Sequence, residues 1–181
     1  MITRGRHLLA APALDDPNFD LSVVFMLEHT DEGALGVVIN RPSELPVAET
    51  FDLWVEAAGS PPVVFWGGPV SVSSIIAVGV ADPSLPNEAW NPISGRIGTL
   101  DLGHGPDAIP GLVGARMFGG YASWGAGQLD SELHDDAWFV VDAEDSDLLS
   151  PDPTGLWWEI VGRQSGPLAQ LRRYPREPWL N

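Results

Sequence analysis

The sequence lacks two residue types on which much enzyme chemistry depends. Its 181 residues contain no cysteine, and all nine basic residues are arginine, so lysine is absent as well. Without cysteine the chain has no disulfide, no thiol nucleophile and no thiolate metal site. Without lysine it has no Schiff-base amine, no anchor for pyridoxal phosphate and no P-loop lysine. Several reaction classes are therefore excluded before any motif is considered.

Positive charge is scarce. The chain carries 25 acidic residues against nine basic ones, which gives a formal net charge of −16. Because DNA affinity comes largely from contacts between cations and phosphates, this balance disfavours direct nucleic-acid binding. The same repulsion disfavours anionic membrane surfaces. We attribute the acidity to solubility.

Long apolar runs are missing too. None approaches the roughly 18 residues that a membrane span needs. The short stretch from Leu8 to Ala13 follows two arginines, as in a secretion signal, but Pro12 interrupts it and acids follow. We expect no membrane association and a cytoplasmic location. A length of 181 residues, 44% of them hydrophobic, predicts a single domain over residues 1–181.

Short apolar runs bounded by turn residues dominate the chain and predict strands. The second and third runs flank the turn residues Asp31 to Gly33 and predict a hairpin. Helical spacing of apolar residues predicts helices at 47–58, 128–133 and 152–161, and we expect a loop at 82–91. The predicted strands are 7–11, 23–27, 35–39, 63–66, 75–80, 97–102, 112–118 and 137–141. Together these elements predict an α+β fold.

Four polar segments rich in glycine or proline interrupt the apolar strands, at 15–19, 40–42, 67–69 and 119–129. Each is consistent with simple turn chemistry. Three of them follow predicted strand ends, where α/β proteins tend to bind ligands. The fourth, a glycine-rich stretch leading into a helix, would offer backbone N–H groups to an anion or an amide. It has neither of the glycine patterns that bind nucleotides.

The catalytic and metal-binding motifs sought in the sequence are incomplete or missing. Ser123 only half-matches a nucleophile elbow, because Tyr121 occupies the position that requires a small residue. The four histidines, at 7, 29, 104 and 134, show no paired metal-binding pattern and are interpreted as surface residues. Eight acids between Asp130 and Asp147 are interpreted as a solvated face. We therefore expect no metal site and no cofactor.

Ten stretches along the chain form a pattern that covers nearly its whole length. They are His7 to Pro12, Asp16 to Phe19, Ser22 to Val24, Glu28 with His29, Gly33 to Gly36, Asn40 to Pro42, Gly67 to Val70, Gly120 to Leu133, Trp138, and Leu156 with Trp157. This pattern resembles the AlgH/YqgE family. The resemblance implies a bent, bifurcated mixed β-sheet that forms a pseudo-barrel flanked by helices.

The resemblance implies no settled activity, although the family carries a label of transcriptional regulator. Two features depart from it. Members usually have glycine where Ser123 stands, and the Arg/Pro-rich tail at 171–181 differs from the usual ending. The acidity of the chain argues against direct promoter contact, so a regulatory role would run through protein or small-ligand contacts.

Our leading hypothesis is a non-enzymatic, cytoplasmic binding or regulatory protein that recognises an unknown small ligand or protein partner. Arg41 would pair with an anionic group, Asn40 and Gln128 would supply amide contacts, and Trp124 would form a flat apolar wall. The predicted ligand surface consists of Asp16, Asn18, Asn40, Arg41, Gly67, Gly68, Trp124 and Gln128.

Two other functions remain open at this point. The first is a hydrolase or metal-assisted enzyme that uses Asp16, Glu28 or His29, because carboxylate–histidine pairs can perform general acid–base work. The second is a DNA-binding regulator, which the net charge of −16 opposes.

Overall fold

The computed structural model describes residues 3–82 and 87–175 and contains a ten-stranded mixed sheet with short helices against it. The strands are β1 (Arg6–Ala10), β2 (Val23–Thr30), β3 (Gly33–Val38), β4 (Pro42–Pro46), β5 (Val63–Trp66), β6 (Val70–Val80), β7 (Trp90–Ser94), β8 (Ile97–Leu100), β9 (Gly114–Gly125) and β10 (Trp138–Asp142). The α-helices are α1 (Val47–Thr50), α2 (Gln128–His134), α3 (Asp145–Leu148) and α4 (Leu156–Gly162). Four 3-10 helices lie at Asp52–Trp54, Pro106–Ala108, Pro153–Gly155 and Gly166–Arg173.

The sheet forks at its longest strand, β9. On one side β9 pairs antiparallel with β6. On the other side its first half pairs parallel with β5, whereas its last four residues pair antiparallel with β3. Strands β3 and β5 therefore diverge from one another along β9, and β4 extends the β5 branch. The bifurcated mixed sheet implied by the family resemblance is confirmed.

The main path of the sheet runs β10-β1-β2-β3-β9-β6-β8-β7 and curls into a half-barrel. Residues from β2, β6 and β8 meet α4 in one core cluster inside it, which includes Phe25, Val78, Ile97 and Trp157. A second cluster around Trp54 and Met117 lies under the 47–58 segment. A third covers the outer face of β1, β2, β3 and β9 and contains Trp124 and Trp138. The predicted pseudo-barrel flanked by helices is confirmed.

The hairpin prediction is also confirmed, since β2 and β3 pair antiparallel across a turn of two residues. All five residues from Val23 to Leu27 are buried, as a continuous apolar run predicts for a strand covered on both faces. The predicted helices at 128–133 and 152–161 correspond to α2 and α4. Asp152 caps the latter region by accepting a hydrogen bond from the Gly155 N–H.

Two predictions of local structure are wrong, and a third is wrong only at its last two residues. The 47–58 helix is two short turns, because Phe51 (φ −131°, ψ 56°) leaves the helical region; Val47 and Trp54 are still buried in one cluster. Residues 119–125, expected as a loop, belong to β9. The 82–91 loop contains the first residues of β7, while residues 83–86 lie outside the described part. Within residues 3–82 and 87–175, no helix is long and apolar enough to cross a membrane.

Candidate functional site

The first two polar segments are joined by Arg41. Arg41 follows β3 in the chain, and its guanidinium donates hydrogen bonds to the carbonyl oxygens of Asn18 (2.6 Å) and Asp20 (2.9 Å). The loop it holds is tightened by Asp16, whose carboxylate accepts a hydrogen bond from the Asn18 N–H at 2.9 Å. This Asx turn and the two hydrogen bonds from the Arg41 guanidinium, here called the arginine fork, fix the backbone of residues 16–20 against the end of β3.

Backbone contacts join the second, third and fourth segments at the fork of the sheet. Trp66 donates its N–H to the Arg41 carbonyl at 2.9 Å, and Gly67 donates to the Gly119 carbonyl at 2.8 Å. Gly68 has φ +152°, and a Cβ at that position would lie 2.1 Å from the Tyr121 carbonyl carbon. Glycine is required there because the two backbones cross without room for a side chain.

Aromatic side chains connect the fourth segment to the first. Phe19 of the first segment stacks on Trp124 of the fourth at a centroid distance of 6.3 Å. Trp138 packs edge-on against both rings, 5.4 Å from Phe19 and 5.9 Å from Trp124. The four segments, more than a hundred residues apart at the extremes, thus lie in one continuous set of contacts.

Glu132 organises the fourth segment. This residue of α2 accepts hydrogen bonds from the indole N–H of Trp124 (2.9 Å) and of Trp138 (2.8 Å) on one carboxylate oxygen. Its other oxygen accepts from the Gln128 amide at 2.9 Å. Gln128 in turn accepts the Gly125 N–H at 3.1 Å. The prediction that Glu132 belongs to a solvated acidic face is wrong, because the carboxylate is half-buried between two indoles.

Several of the predicted site residues use their polar groups within the protein. The Asn40 side chain is buried, accepts the Val23 N–H at 2.9 Å and donates to the Leu21 carbonyl at 3.0 Å. Asn40, Gly67, Gly68, Trp124 and Gln128 therefore build the framework of the site. Gln128 is exposed, but its amide is hydrogen-bonded to Gly125 and Glu132. The other side chains that reach the outer surface are those of Asp16, Asn18 and Arg41, together with Trp66.

Arg41 and Trp66 form the outer face of this framework. The guanidinium carbon lies 5.1 Å from the centroid of the Trp66 ring, a cation–π arrangement with both side chains half-buried. Burial lowers the pKa of Arg41, whereas the nearby carboxylates of Asp20 and Asp16 raise it. Arg41 and Trp66 therefore present a charged aromatic surface, and the hydrogen bonds of the underlying framework fix its orientation.

The residues of the enzyme hypothesis are divided between two places. Asp16 lies near Arg41 in the loop that precedes β2, whereas Glu28 and His29 lie near the end of β2. His29 contacts the Thr3 hydroxyl through Nδ1 (3.0 Å) and lies 3.6 Å from Asp130 through Nε2. Among the described residues, no hydrogen bond or ion pair joins Asp16 to Glu28 or His29. In the same part of the chain, no group of three or more His, Asp or Glu side chains could hold a metal ion.

A buried ionic cluster that no sequence motif indicated lies at His7. His7 is fully buried and its Nε2 lies 2.9 Å from Asp147, which is 2% exposed. Arg163 makes a two-pronged ion pair with the same carboxylate. Burial raises the pKa of Asp147, but the hydrogen bonds from His7 and Arg163 lower it by more than burial raises it. The pKa of Asp147 therefore lies well below its usual range. The interpretation of His7 and Asp147 as surface residues is wrong.

Arg116 is a buried cation that the sequence did not indicate. It is 2% exposed, donates to the carbonyls of Ser60 and Ser150 at 2.7 Å each, and lies 4.2 Å from the Phe65 ring. Burial lowers its pKa to about 10. Its position on β9, between two carbonyls from distant segments, indicates a role in holding the fork of the sheet together.

Comparison with known proteins gives a consistent result. A family model described as AlgH-like matches residues 7–169. A UPF0301 protein from Streptomyces coelicolor is 47% identical, over 98% of this chain and 94% of its own length. A UPF0301 protein from Thermobifida fusca is 41% identical with the same coverage of both chains.

Two solved structures share the fold. The crystal structure of a Corynebacterium diphtheriae protein superposes with a TM-score of 0.88 at 29% identity, over 95% of this chain and 92% of that one. The solution structure of the AlgH protein from Pseudomonas aeruginosa gives 0.67 at 26% identity, over 97% and 95%. The chain therefore belongs to the AlgH-like, UPF0301 family of bacterial proteins.

Proposed function

We propose that this protein is a non-enzymatic binding protein of regulatory type, and that a protein partner contacts it through the surface formed by Arg41, Trp66, Asn18 and Asp16, here called the fork surface. The observation that carries the proposal is the half-buried Arg41–Trp66 stack, in which the guanidinium lies 5.1 Å from the indole ring. Arginine and tryptophan are enriched among residues that dominate binding energy at protein interfaces.

The rigidity of the fork surface supports this choice. Backbone hydrogen bonds join Arg41 to Trp66 and Gly67 to Gly119, while the arginine fork holds residues 16–20. A surface fixed in this way loses little conformational entropy when a partner binds. Because the amides of Asn40 and Gln128 are already used within the fold, the fork surface offers an outer face for docking, with few inward-pointing groups for a small molecule.

Charge also bears on the kind of partner. The fork surface has a cation at its centre, with the carboxylates of Asp16 and Asp20 close enough to act on the pKa of Arg41. A partner segment with both an acidic group and a hydrogen-bond donor would complement this pattern. Direct DNA contact would require many cations, and the net charge of −16 opposes it.

Asn18 provides the sharpest variant for a test. Its side chain is exposed, whereas its backbone N–H and C=O hold the loop, so Asn18→Ala alters the surface and keeps the fold. The matched control is Ser165→Ala, an exposed polar residue after α4. Native mass spectrometry of gently purified protein should show a co-purifying partner with wild type and with Ser165→Ala. That partner should be depleted with Asn18→Ala and with Arg41→Lys, and equal recovery from all four proteins would refute the fork surface.

The enzyme hypothesis has a separate observation in its favour, because His29 is held by Thr3 on one nitrogen and faces Asp130 on the other. It predicts turnover on a substrate panel that falls in His29→Ala. Turnover that is absent, or unchanged in this variant, would remove the hypothesis without affecting the fork surface.

A further inference from the structure

A cavity of about 470 Å³ opens inside the half-barrel, away from the fork surface. It lies between the ends of β2 and β3 and the facing strands β6, β7 and β8. Its apolar side chains are Leu27, Leu35, Ile76 and Ile93. Its polar lining comes from Arg4, Glu28, His29, Thr30, Asn91 and Thr99. The volume is within the range of about 300–1,000 Å³ typical of small-molecule sites, and the mouth of a barrel is a common place for them.

A β-bulge turns Glu28 toward this cavity. Met26 pairs with Gly36 and Glu28 pairs with Leu35, so Leu27 has no residue opposite it on β3. Residues opposed in an antiparallel pair face the same side of the sheet. Leu35 packs against the core inside the half-barrel, and Glu28 therefore shares that side with it. Without the bulge, strict alternation would place Glu28 on the outer face with Met26.

Glu28 and Arg4 give the cavity one charge of each sign. Glu28 is exposed at the mouth, and its carboxylate makes no hydrogen bond or ion pair with any residue in 3–82 or 87–175. Arg4 is fixed by donating to the carbonyls of Ile93 (2.8 Å) and Pro92 (3.1 Å) of β7. Each of these two guanidinium nitrogens keeps a second N–H, and Nε is uncommitted, so the arginine can still bind a carboxylate.

We propose that this cavity binds a free apolar α-amino acid. Its ammonium group pairs with Glu28, its carboxylate pairs with Arg4, and its side chain lies on the wall formed by Leu27, Leu35, Ile76 and Ile93. A simple amine would leave Arg4 without a counter-charge, and a simple carboxylic acid would leave Glu28 without one. A zwitterion with an apolar side chain satisfies both charges and the apolar wall. This inference goes beyond the fork surface and does not rest on it.

Isothermal titration calorimetry with the full chain tests the proposal with four probes. L-leucine carries all three features, 4-methylpentanoate lacks the amine, 3-methylbutylamine lacks the carboxylate, and glycine lacks the side chain. We expect leucine to bind and each of the other three to bind at least about tenfold more weakly, since a charge-assisted hydrogen bond or a buried branched side chain is worth that much. No heat from leucine at concentrations on the order of 10 mM would overturn the proposal.

Variants locate the site. Glu28→Gln removes the charge from a residue that holds nothing else in the fold, and it should weaken leucine binding about tenfold or more. Glu32→Gln removes an exposed charge from the adjacent β2–β3 turn and should leave binding unchanged. If 3-methylbutylamine binds as tightly as leucine, or if Glu28→Gln binds leucine like wild type, the site is not the one proposed.

Discussion

The buried carboxylate of Asp147 gives the most demanding test of the structure. It is 2% exposed and accepts hydrogen bonds from His7, from both terminal nitrogens of Arg163 and from the Glu144 N–H. In Asp147→Asn the side chain keeps its shape but loses its charge, so Arg163 loses its buried counter-ion. Breaking a buried ion pair from one side costs about 3–5 kcal/mol. For a chain of this size that cost corresponds to a melting temperature lower by about 6–20 °C.

Urea denaturation and scanning calorimetry at pH 7 measure this cost. The matched control is Asp145→Asn, two residues earlier on α3, whose carboxylate is exposed and lies 3.5 Å from Arg96. Surface changes of that kind stay within about 0.5 kcal/mol. If the free energy of unfolding falls equally in the two variants, the buried cluster does not hold β1 against α3 and α4.

The same cluster predicts how stability depends on pH. The pKa of Asp147 is lower in the folded protein than in the unfolded chain, where the pKa of an aspartate carboxyl is about 4. The folded state therefore binds fewer protons, and the stabilisation is complete above that unfolded pKa and lost as the pH falls toward the folded pKa. The difference in unfolding free energy between wild type and Asp147→Asn should accordingly be largest at neutral pH and shrink below about pH 4.

Three further variants probe the framework of the site. Gly68→Ala places a Cβ 2.1 Å from a backbone atom of Tyr121 at φ +152°. It should lower the free energy of unfolding by more than about 4 kcal/mol or abolish soluble expression. Normal expression and stability would contradict the strand crossing. Glu132→Gln should cost about 1–3 kcal/mol and shift tryptophan fluorescence, because the acceptor shared by two indoles loses its charge; the exposed Asp135→Asn is the control. Arg41→Ala should cost about 1–3 kcal/mol and speed proteolysis within residues 16–20, and an unchanged cleavage pattern would refute the arginine fork.

Much of the fold could be predicted because its strands are local, continuous signals. The run from Val23 to Leu27 needs only its own composition to be identified as a buried strand, and turn residues at 31–33 position the hairpin. Residues 119–125 were misassigned because glycines usually end strands. Here they continue β9, and at Gly120 (φ +75°) an added Cβ would lie 2.4 Å from the Gly68 carbonyl oxygen, so the neighbouring backbone leaves no room for a side chain there.

The candidate site could be predicted only in part, because its contacts span the chain. The four polar segments were identified, and the structure brings them together. The sequence does not show that the Asn40 side chain is buried, or that the amides of Asn40 and Gln128 are hydrogen-bonded within the fold. His7 and Asp147 are 140 residues apart, so no spacing rule connects them. The bulge at Leu27 leaves no mark in the composition of β2, and one extra residue decides which face Glu28 occupies. The position of His7 within the apolar run of β1 was the one sequence signal of the buried His7–Asp147–Arg163 cluster.

The most direct test of the fork surface is photo-crosslinking in living cells from position 18. Asn18→p-benzoylphenylalanine places the reactive group beside the Arg41–Trp66 stack, and Ser165→p-benzoylphenylalanine places it after α4 as the control. We predict one discrete adduct with a protein partner from position 18, weakened when Arg41→Lys is added, and none of that mass from position 165. No adduct from position 18, or the same adduct from both positions, would contradict the proposal that a partner docks on this surface.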